Sequence, residues 1–251
     1  AGQIISYTYD TNNNLTRVDY PDATAKIYHY NESVFTSGAN LPNHLTGISY
    51  VDSTGVTTRY ATYAYDTNGK AITTQHAQTD NGAPQEKFTL AYNSDTQTTV
   101  TDPVSAYEVM TFQTNLGVKN LTGKQLYNSG GATVNAALQQ TFDANNNLAC
   151  RKDEENHVTL YSYNSTNQRT GMTEGMTGDC TAPVSVAGVT RTTTYQYLSP
   201  TLDLPTVVES PSVASGTYKK RITLAYGDNR FPALPTGVTQ SGYTPAGTSV
   251  F

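Results

Sequence analysis

The chain of 251 residues has no tryptophan, only two cysteines and only three methionines. Large purely apolar side chains are scarce as well: Leu, Ile, Val and Phe together fill 45 positions. That is below the roughly 20 % level at which a chain struggles to bury a core. The high net charge of a disordered chain is missing too, since 15 Lys+Arg oppose 20 Asp+Glu. This balance offers no basic face able to grip phosphates, so nucleic acid is not an expected partner. No apolar run approaches the roughly 18 residues of a membrane span, so no transmembrane segment is expected. The opening "AGQIISYTYD" lacks the basic start and apolar stretch of a signal peptide. Either a signal has been removed or the chain is a piece of something longer.

Catalytic and metal-binding patterns are also wanting. The four histidines, His29, His44, His76 and His157, form no HxH or HExxH spacing, so no metal site is indicated. His29 lies between Tyr28 and Tyr30 and faces away from both, which reads as a solvated strand position. The acidic run "KDEEN", Lys152–Asn156, reads as a solvated turn. No GxSxG, P-loop or dinucleotide fingerprint occurs, and no cofactor is expected. Twenty acids make a facing carboxylate pair of the glycosidase kind conceivable, but the sequence singles none out. The chain is expected not to be an enzyme. Cys150 and Cys180 match no CxxC spacing. They are either two free buried thiols or one disulfide closing a loop of about 30 residues in an oxidising compartment.

What the chain does have is tyrosine, 19 copies of it. A core that leans on Tyr must find a partner for each hydroxyl. That suits thin sheets with one wet side, or a wide hydrated interior. Segments such as "KIYHY", "TRYATYAY", "KFTLAY", "TLYSY" and "RITLAY" alternate large and small residues, rich in Tyr and Thr. Between strands stand "DTNNN", "DTNGK", "DNG", "NSGG", "DANNN" and "GDN", clusters that tolerate positive φ and supply side-chain turn bonds. Sustained helical periodicity is absent; "NAALQQ", Asn135–Gln140, is the best short candidate. The class is all-β, a series of antiparallel hairpins forming a curved sheet.

The hairpins repeat. The second aromatic of each strand-ending motif falls at Tyr9, Tyr30, Tyr65 and Tyr92, then at Phe142, Tyr163, Tyr197 and Tyr226. Corresponding members are 133, 133, 132 and 134 residues apart. The neighbouring letters agree: "YDTNNNL" matches "FDANNNL", and "KFTLAYN" matches "RITLAYG". The chain is an internal duplication of a unit of about 133 residues, with units at 1–135 and 136–251. Residues two apart on a strand share a face, so Tyr7 pairs with Tyr9, Tyr28 with Tyr30, Tyr63 with Tyr65, Tyr161 with Tyr163 and Tyr195 with Tyr197. Asp10, Asn31, Asp66 and Asp143 follow anchor aromatics and are placed to cap the bend. These anchors read as structural packing residues. Unpaired strand edges would leave such an array prone to self-association.

The stretch "YTYDTNNNLTRVDYPDATAKIYHYN", Tyr7–Asn31, resembles the YD repeats of the Rhs family, as do "YAYDTNGKAIT" and "FDANNNLACRKDEENHVTLYSYN". The resemblance covers nearly the whole chain. The family includes shells of bacterial polymorphic toxins, shell components of insecticidal toxin complexes, and teneurins. It implies a spiralling β-shell segment that encloses or presents a toxin or effector domain. The implied partners are other repeats and a cargo domain of the same or a longer chain. The implied location is secreted or at the bacterial cell surface, reached by a specialised secretion system. The chain opens inside a repeat and stops at "GTSVF", which reads as a fragment. Family toxins carry an Asp-Pro core motif. The Asp102-Pro103 pair here continues "VSAYE" without the family's Gly-Leu, so no protease site is carried over. A carbohydrate-binding adhesion module, with glycans stacked on a tyrosine surface, is the alternative; a polysaccharide-degrading enzyme stands further behind.

Overall fold

A computed structural model describes residues 3–77, 84–212, 218–244, 246 and 248. The "DNG" cluster, Asp80–Gly82, lies outside them. The described residues form 19 antiparallel strands assigned to a single sheet; the helical content is one 3-10 turn, Ser33–Phe35. Two compact units are present, one of Ala1–Val109 with Leu126–Thr133 and one of Met110–Gln125 with Val134–Phe251.

In the first unit the chain runs β1 (Ser6–Tyr9), β2 (Leu15–Asp19), β3 (Ala25–Tyr30), β4 (Leu45–Val51), β5 (Thr57–Tyr65), β6 (Ala71–Ala77), β7 (Pro84–Ser94) and β8 (Gln97–Thr101). Each pairs with the next in the chain. β9 (Tyr107–Asn115) and β10 (Val118–Tyr127) follow. The second unit continues with β11 (Leu138–Phe142), β12 (Leu148–Lys152), β13 (Val158–Tyr163), β14 (Arg169–Asp179), β15 (Ala182–Ser185), β16 (Arg191–Ser199), β17 (Leu202–Pro211), β18 (Lys219–Tyr226) and β19 (Pro235–Tyr243). Here the order is again that of the chain, except that β14 carries β16 on its first half and β15 on its second.

The sequence "NAALQQ" is not helical. Leu138 and Gln139 are drawn into ladders with β10 and β12, and Leu138 is buried. Ladder pairing outweighs the weak helix preference of two alanines.

Eight tight turns share one design: Asp10–Asn14, Asp52–Val56, Asp66–Lys70, Asp102–Ala106, Asn128–Ala132, Asp143–Asn147, Asp153–His157 and Asn164–Gln168. In each, the Asp or Asn side-chain Oδ1 accepts N–H groups from the residues two and four further on. The backbone closes the turn with two bonds of its own, and the fourth residue takes positive φ. That residue is Asn or Gly in seven turns and Ser105 in the other, as the left-handed region favours. The acceptor needs a short planar carbonyl or carboxylate, which explains why Asp and Asn exchange freely there. A ninth turn, Tyr20–Thr24, repeats the backbone pattern with Ala23 at φ 65.

The core is thin. Among the described residues its buried apolar members are Val18, Ala25, Val51, Ala61, Leu138, Cys150, Val158 and Met176. The chain exposes 15048 Å². A compact monomer of this mass would expose about 10,900 Å², and even two separate domains of half the mass about 13,100 Å². Such a protein cannot rely on oily burial, so polar contacts between strands take on more of the load.

Candidate functional site

All eight anchor aromatics stand at a slip in strand register. The irregularity falls at Tyr9, Tyr30, Tyr65, Tyr92, Phe142, Tyr163, Tyr197 and Tyr226 in their respective ladders. A bulge re-aims the side chain beside it. Here it turns the ring toward the preceding hairpin. Tyr65 donates its hydroxyl to the Leu45 carbonyl at 2.9 Å, Tyr92 to Ala71 at 2.9 Å, Tyr163 to Leu148 at 3.0 Å, Tyr197 to Arg169 at 2.8 Å and Tyr226 to Pro205 at 2.9 Å.

One rule generates all five bonds. The acceptor is always the residue paired with the previous anchor: Leu45 pairs with Tyr30, Ala71 with Tyr65, Leu148 with Phe142, Arg169 with Tyr163, and Pro205 with Tyr197. Each of these five tyrosines therefore ties its own hairpin to the turn end of the one before. At that end the bulge has disturbed the ladder, and the phenol bonds a carbonyl there. Burial pushes the phenols of Tyr30, Tyr65, Tyr163 and Tyr197 above the ordinary tyrosine range. Phe142 has no hydroxyl. The turn beside it is held from β9 and β10 instead, by Asn115 Nδ2 donating to the Asp143 carbonyl and Asn120 Nδ2 to Asn146 Oδ1.

The inner members of the pairs differ in setting. Tyr28, Tyr63, Tyr161 and Tyr195 are half-buried. The Arg169 guanidinium lies over both Tyr161 and Tyr195, at 6.0 and 4.8 Å from the ring centres. Tyr7 and Tyr9 stand exposed, at 57 % and 59 %. Asp10, Asp66 and Asp143 are the turn acceptors described above. Asn31 differs: its Oδ1 accepts the Leu41 N–H, so it braces the wide loop between β3 and β4. Bonds from their turn partners hold the Asp10, Asp52 and Asp143 carboxyls below the usual range, Asn14, Thr54 and Asn147 contributing most in turn.

Cys150 and Cys180 form a disulfide, with Cα atoms 5.7 Å apart, that joins β12 to the turn after β14. It packs on Val158, Met176 and Leu160. Beside it Lys152 Nζ meets Asp179 Oδ1 at 2.8 Å.

A buried polar cluster lies in the first unit that the sequence reading did not pick out. Arg59, 7 % exposed, reaches Glu32 with two hydrogen bonds of 2.7 and 3.3 Å and donates to the carbonyls of Thr46 and Ala61. Thr46 adds a bond to Glu32 at 2.7 Å. Burial raises the Glu32 carboxyl, but bonds from Arg59 and Thr46 and the Arg59 charge outweigh it and hold it below the usual range. Gly47 makes the room: a Cβ there would overlap the guanidinium. The signal lay in Arg59 as a lone charge within a Tyr/Thr strand, and in Glu32 where other repeats continue into a turn. His29 is not solvated. It is half-buried, with Nε2 2.9 Å from the Oγ of buried Ser49.

Two shallow cavities are open to solvent. One, of about 370 Å³, is lined by Tyr20, Thr24, Lys26, Tyr50, Asp52 and Thr58 among others; one of about 260 Å³ lies by Thr192, Glu209, Tyr218 and Lys219. Each carries one carboxylate, and Glu209 is bound to Lys219 and Arg221. Among the described residues no three His, Cys, Asp or Glu side chains converge as metal ligands, and no helix is long and apolar enough to cross a membrane.

No protein-family model matches the chain, and no curated protein sequence matches it. Among solved structures it is similar to a TcdB2-TccC3-Cdc42 crystal structure, at 11% identity over 90% of this chain and 10% of that one, with a TM-score of 0.44. It is similar to a Tc holotoxin pore of Photorhabdus luminescens, at 11% identity over 98% of this chain and 15% of that one, with a TM-score of 0.36. A porin-like protein from Bacteroides uniformis follows, at 11% identity over 96% and 88% of the two chains, with a TM-score of 0.27. The chain spans about a tenth of the length of the first of these.

Proposed function

We propose that this chain is a non-catalytic wall segment of an Rhs/YD-repeat shell that encloses or presents a toxin or effector domain of the same or a longer chain. The observation that carries the reading is the repeated tyrosine-to-carbonyl tie. The residues that define the repeat are spent on joining hairpins, and what they build is an extended surface with little interior. The disulfide supports an oxidising destination, secreted or at the cell surface. The reading is tested in the coding region on either side. Further Tyr-x-Tyr-Asp hairpins and a downstream domain without them are expected; a flanking catalytic domain that uses this chain as its substrate-binding arm would overturn it.

One observation favours the carbohydrate-binding alternative. Lys26, Tyr50, Tyr60 and His76 form a row of ring contacts across β3 to β6, with Tyr50 and Tyr60 exposed. Saturable binding of a soluble glycan, lost on Tyr50→Ala, would promote it.

A further inference from the structure

We infer that the hairpin 176–185 is a latch opened by a dithiol reductant: reduction of the Cys150–Cys180 bond frees its tip and bares the core beneath, while the sheet around it stays folded. The inference stands apart from the shell reading and lies wholly within the second unit. The first unit joins β4 to β5 through the tight turn at 52–56. At the matching place, between β14 and β16, the second unit inserts residues 175–190. β16 pairs with residues 171–174 of β14, so the sheet continues without the insertion. β14 leaves β13 at Met176, opposite Val158, and among the described residues 177–179 pair with β15 alone. Gly175, at φ 71, marks the break. Thr190 Oγ1 holds this base, donating to the Gly175 carbonyl at 3.0 Å and accepting the Val186 N–H at 2.7 Å. From Thr177 to Val189 no residue is buried.

The arm is fastened at its tip. Register places Cys150, Lys152, Val158, Leu160 and Met176 on one face, with Gln139 opposite Lys152. The arm bends over this face: Cys180 bonds Cys150, Asp179 meets Lys152 at 2.8 Å, and the Cys180 N–H reaches Gln139 Oε1 at 3.3 Å. Val158 and Met176 lie in the core at this place, 0 % and 6 % exposed, and Cys180 packs against them. Once the covalent bond is cut, the tip is left with polar contacts to Gln139 and an ion pair whose carboxylate is half-exposed, which water weakens. The two sulfurs differ in reach. Cys150 is 2 % exposed, whereas Cys180 stands half-buried beside exposed Thr181. A thiolate of the reductant therefore attacks Cys180 Sγ, and the Cys150 sulfur leaves as a thiolate and takes up a proton. The reductant's second thiolate then attacks its own sulfur in the mixed disulfide and releases Cys180, which is protonated in turn. The reductant ends as a disulfide, and two electrons and two protons have passed to the chain.

The test is hydrogen exchange, read by mass spectrometry, on the native chain with and without dithiothreitol and with no denaturant present. Reduction should go to completion. The amides of 176–186 should then exchange at least about tenfold faster, while β16, β17 and β18 keep their protection. Iodoacetamide should alkylate Cys180 first and Cys150 after it, without urea. Cys180→Ser should show the same fast segment with no reductant; should that variant fail to fold, the reduced parent chain carries the comparison alone. A bond that dithiothreitol cuts only in urea, an arm whose exchange is unmoved by reduction, a Cys150 that stays unreactive in the reduced native chain, or protection lost equally across β16 to β18 would overturn the proposal.

Discussion

Replacing Tyr163 by Phe removes one oxygen and nothing else. The ring keeps its place, as Phe142 shows at the matching position of the preceding hairpin. What is lost is the 3.0 Å bond to the Leu148 carbonyl. A net hydrogen bond of this kind contributes about 1 kcal/mol, somewhat more if the carbonyl is left without another partner. For a domain of this size that corresponds to a fall in melting temperature of roughly 2–4 °C. Tyr197→Phe should behave alike, since its bond to Arg169 is 2.8 Å. Tyr9→Phe is the control: an exposed ring with no acceptor in its own chain should cost less than about 0.5 kcal/mol when measured at low concentration. Urea unfolding followed by tyrosine fluorescence, with the denaturant slope unchanged, is the assay. The same ties have an alkaline signature. The Tyr65, Tyr163 and Tyr197 phenols are raised by burial, so their contribution is fully present below the ordinary tyrosine pKa and is lost as pH climbs through the folded value. Stability should therefore fall above about pH 10. If Tyr163→Phe and Tyr197→Phe were as silent as Tyr9→Phe, the bonds would be ornaments of the repeat and the argument from them would fail.

Reducing the Cys150–Cys180 bond, which spans 30 residues, should cost about 3–4 kcal/mol in the chain-entropy model, seen as a lower denaturation midpoint in dithiothreitol. Gly47→Ala should destabilise strongly, by about 2–4 kcal/mol, because the methyl displaces the Arg59 guanidinium from Glu32; a double variant with Arg59→Met should recover part of that loss in the same unfolding assay. Ala23→Gly should stabilise by about 0.5–1 kcal/mol, since the turn holds Ala23 at φ 65, and a melting temperature unmoved or lowered would refute it. The carboxyls of Asp10, Asp52 and Asp143 are lowered in the folded chain, so their contribution is present above the ordinary aspartate pKa and is lost as pH falls; Asp143→Asn should flatten that acid limb, while Asp143→Ala should lower stability at neutral pH as well.

The hairpins, their turns and the all-β class were legible because each rests on local pattern. The alternation of "TLYSY" and the Asx-to-Gly turn chemistry are decided within a few residues. The partner of each of the five tied anchor hydroxyls was not legible. Its acceptor is a backbone carbonyl 15 to 28 residues upstream, and a carbonyl carries no letter. The Arg59 cluster escaped for a similar reason: Glu32, Thr46, Gly47 and Arg59 come from three separate segments, and only packing joins them. "NAALQQ" misled because two alanines favour helix while the neighbouring strands decide otherwise, and His29 misled because facing away from two tyrosines does not mean facing water.

Tyr65, Tyr92, Tyr163, Tyr197 and Tyr226 act as joints of the sheet, each hydroxyl bound to a carbonyl of the preceding hairpin. Nitration of the native chain with tetranitromethane, followed site by site by mass spectrometry, reads this directly. Tyr65, Tyr163 and Tyr197 should be protected, and Tyr7 and Tyr9 should react early. Anchors that nitrate as fast as Tyr9, or become protected only when a glycan is added, would contradict it.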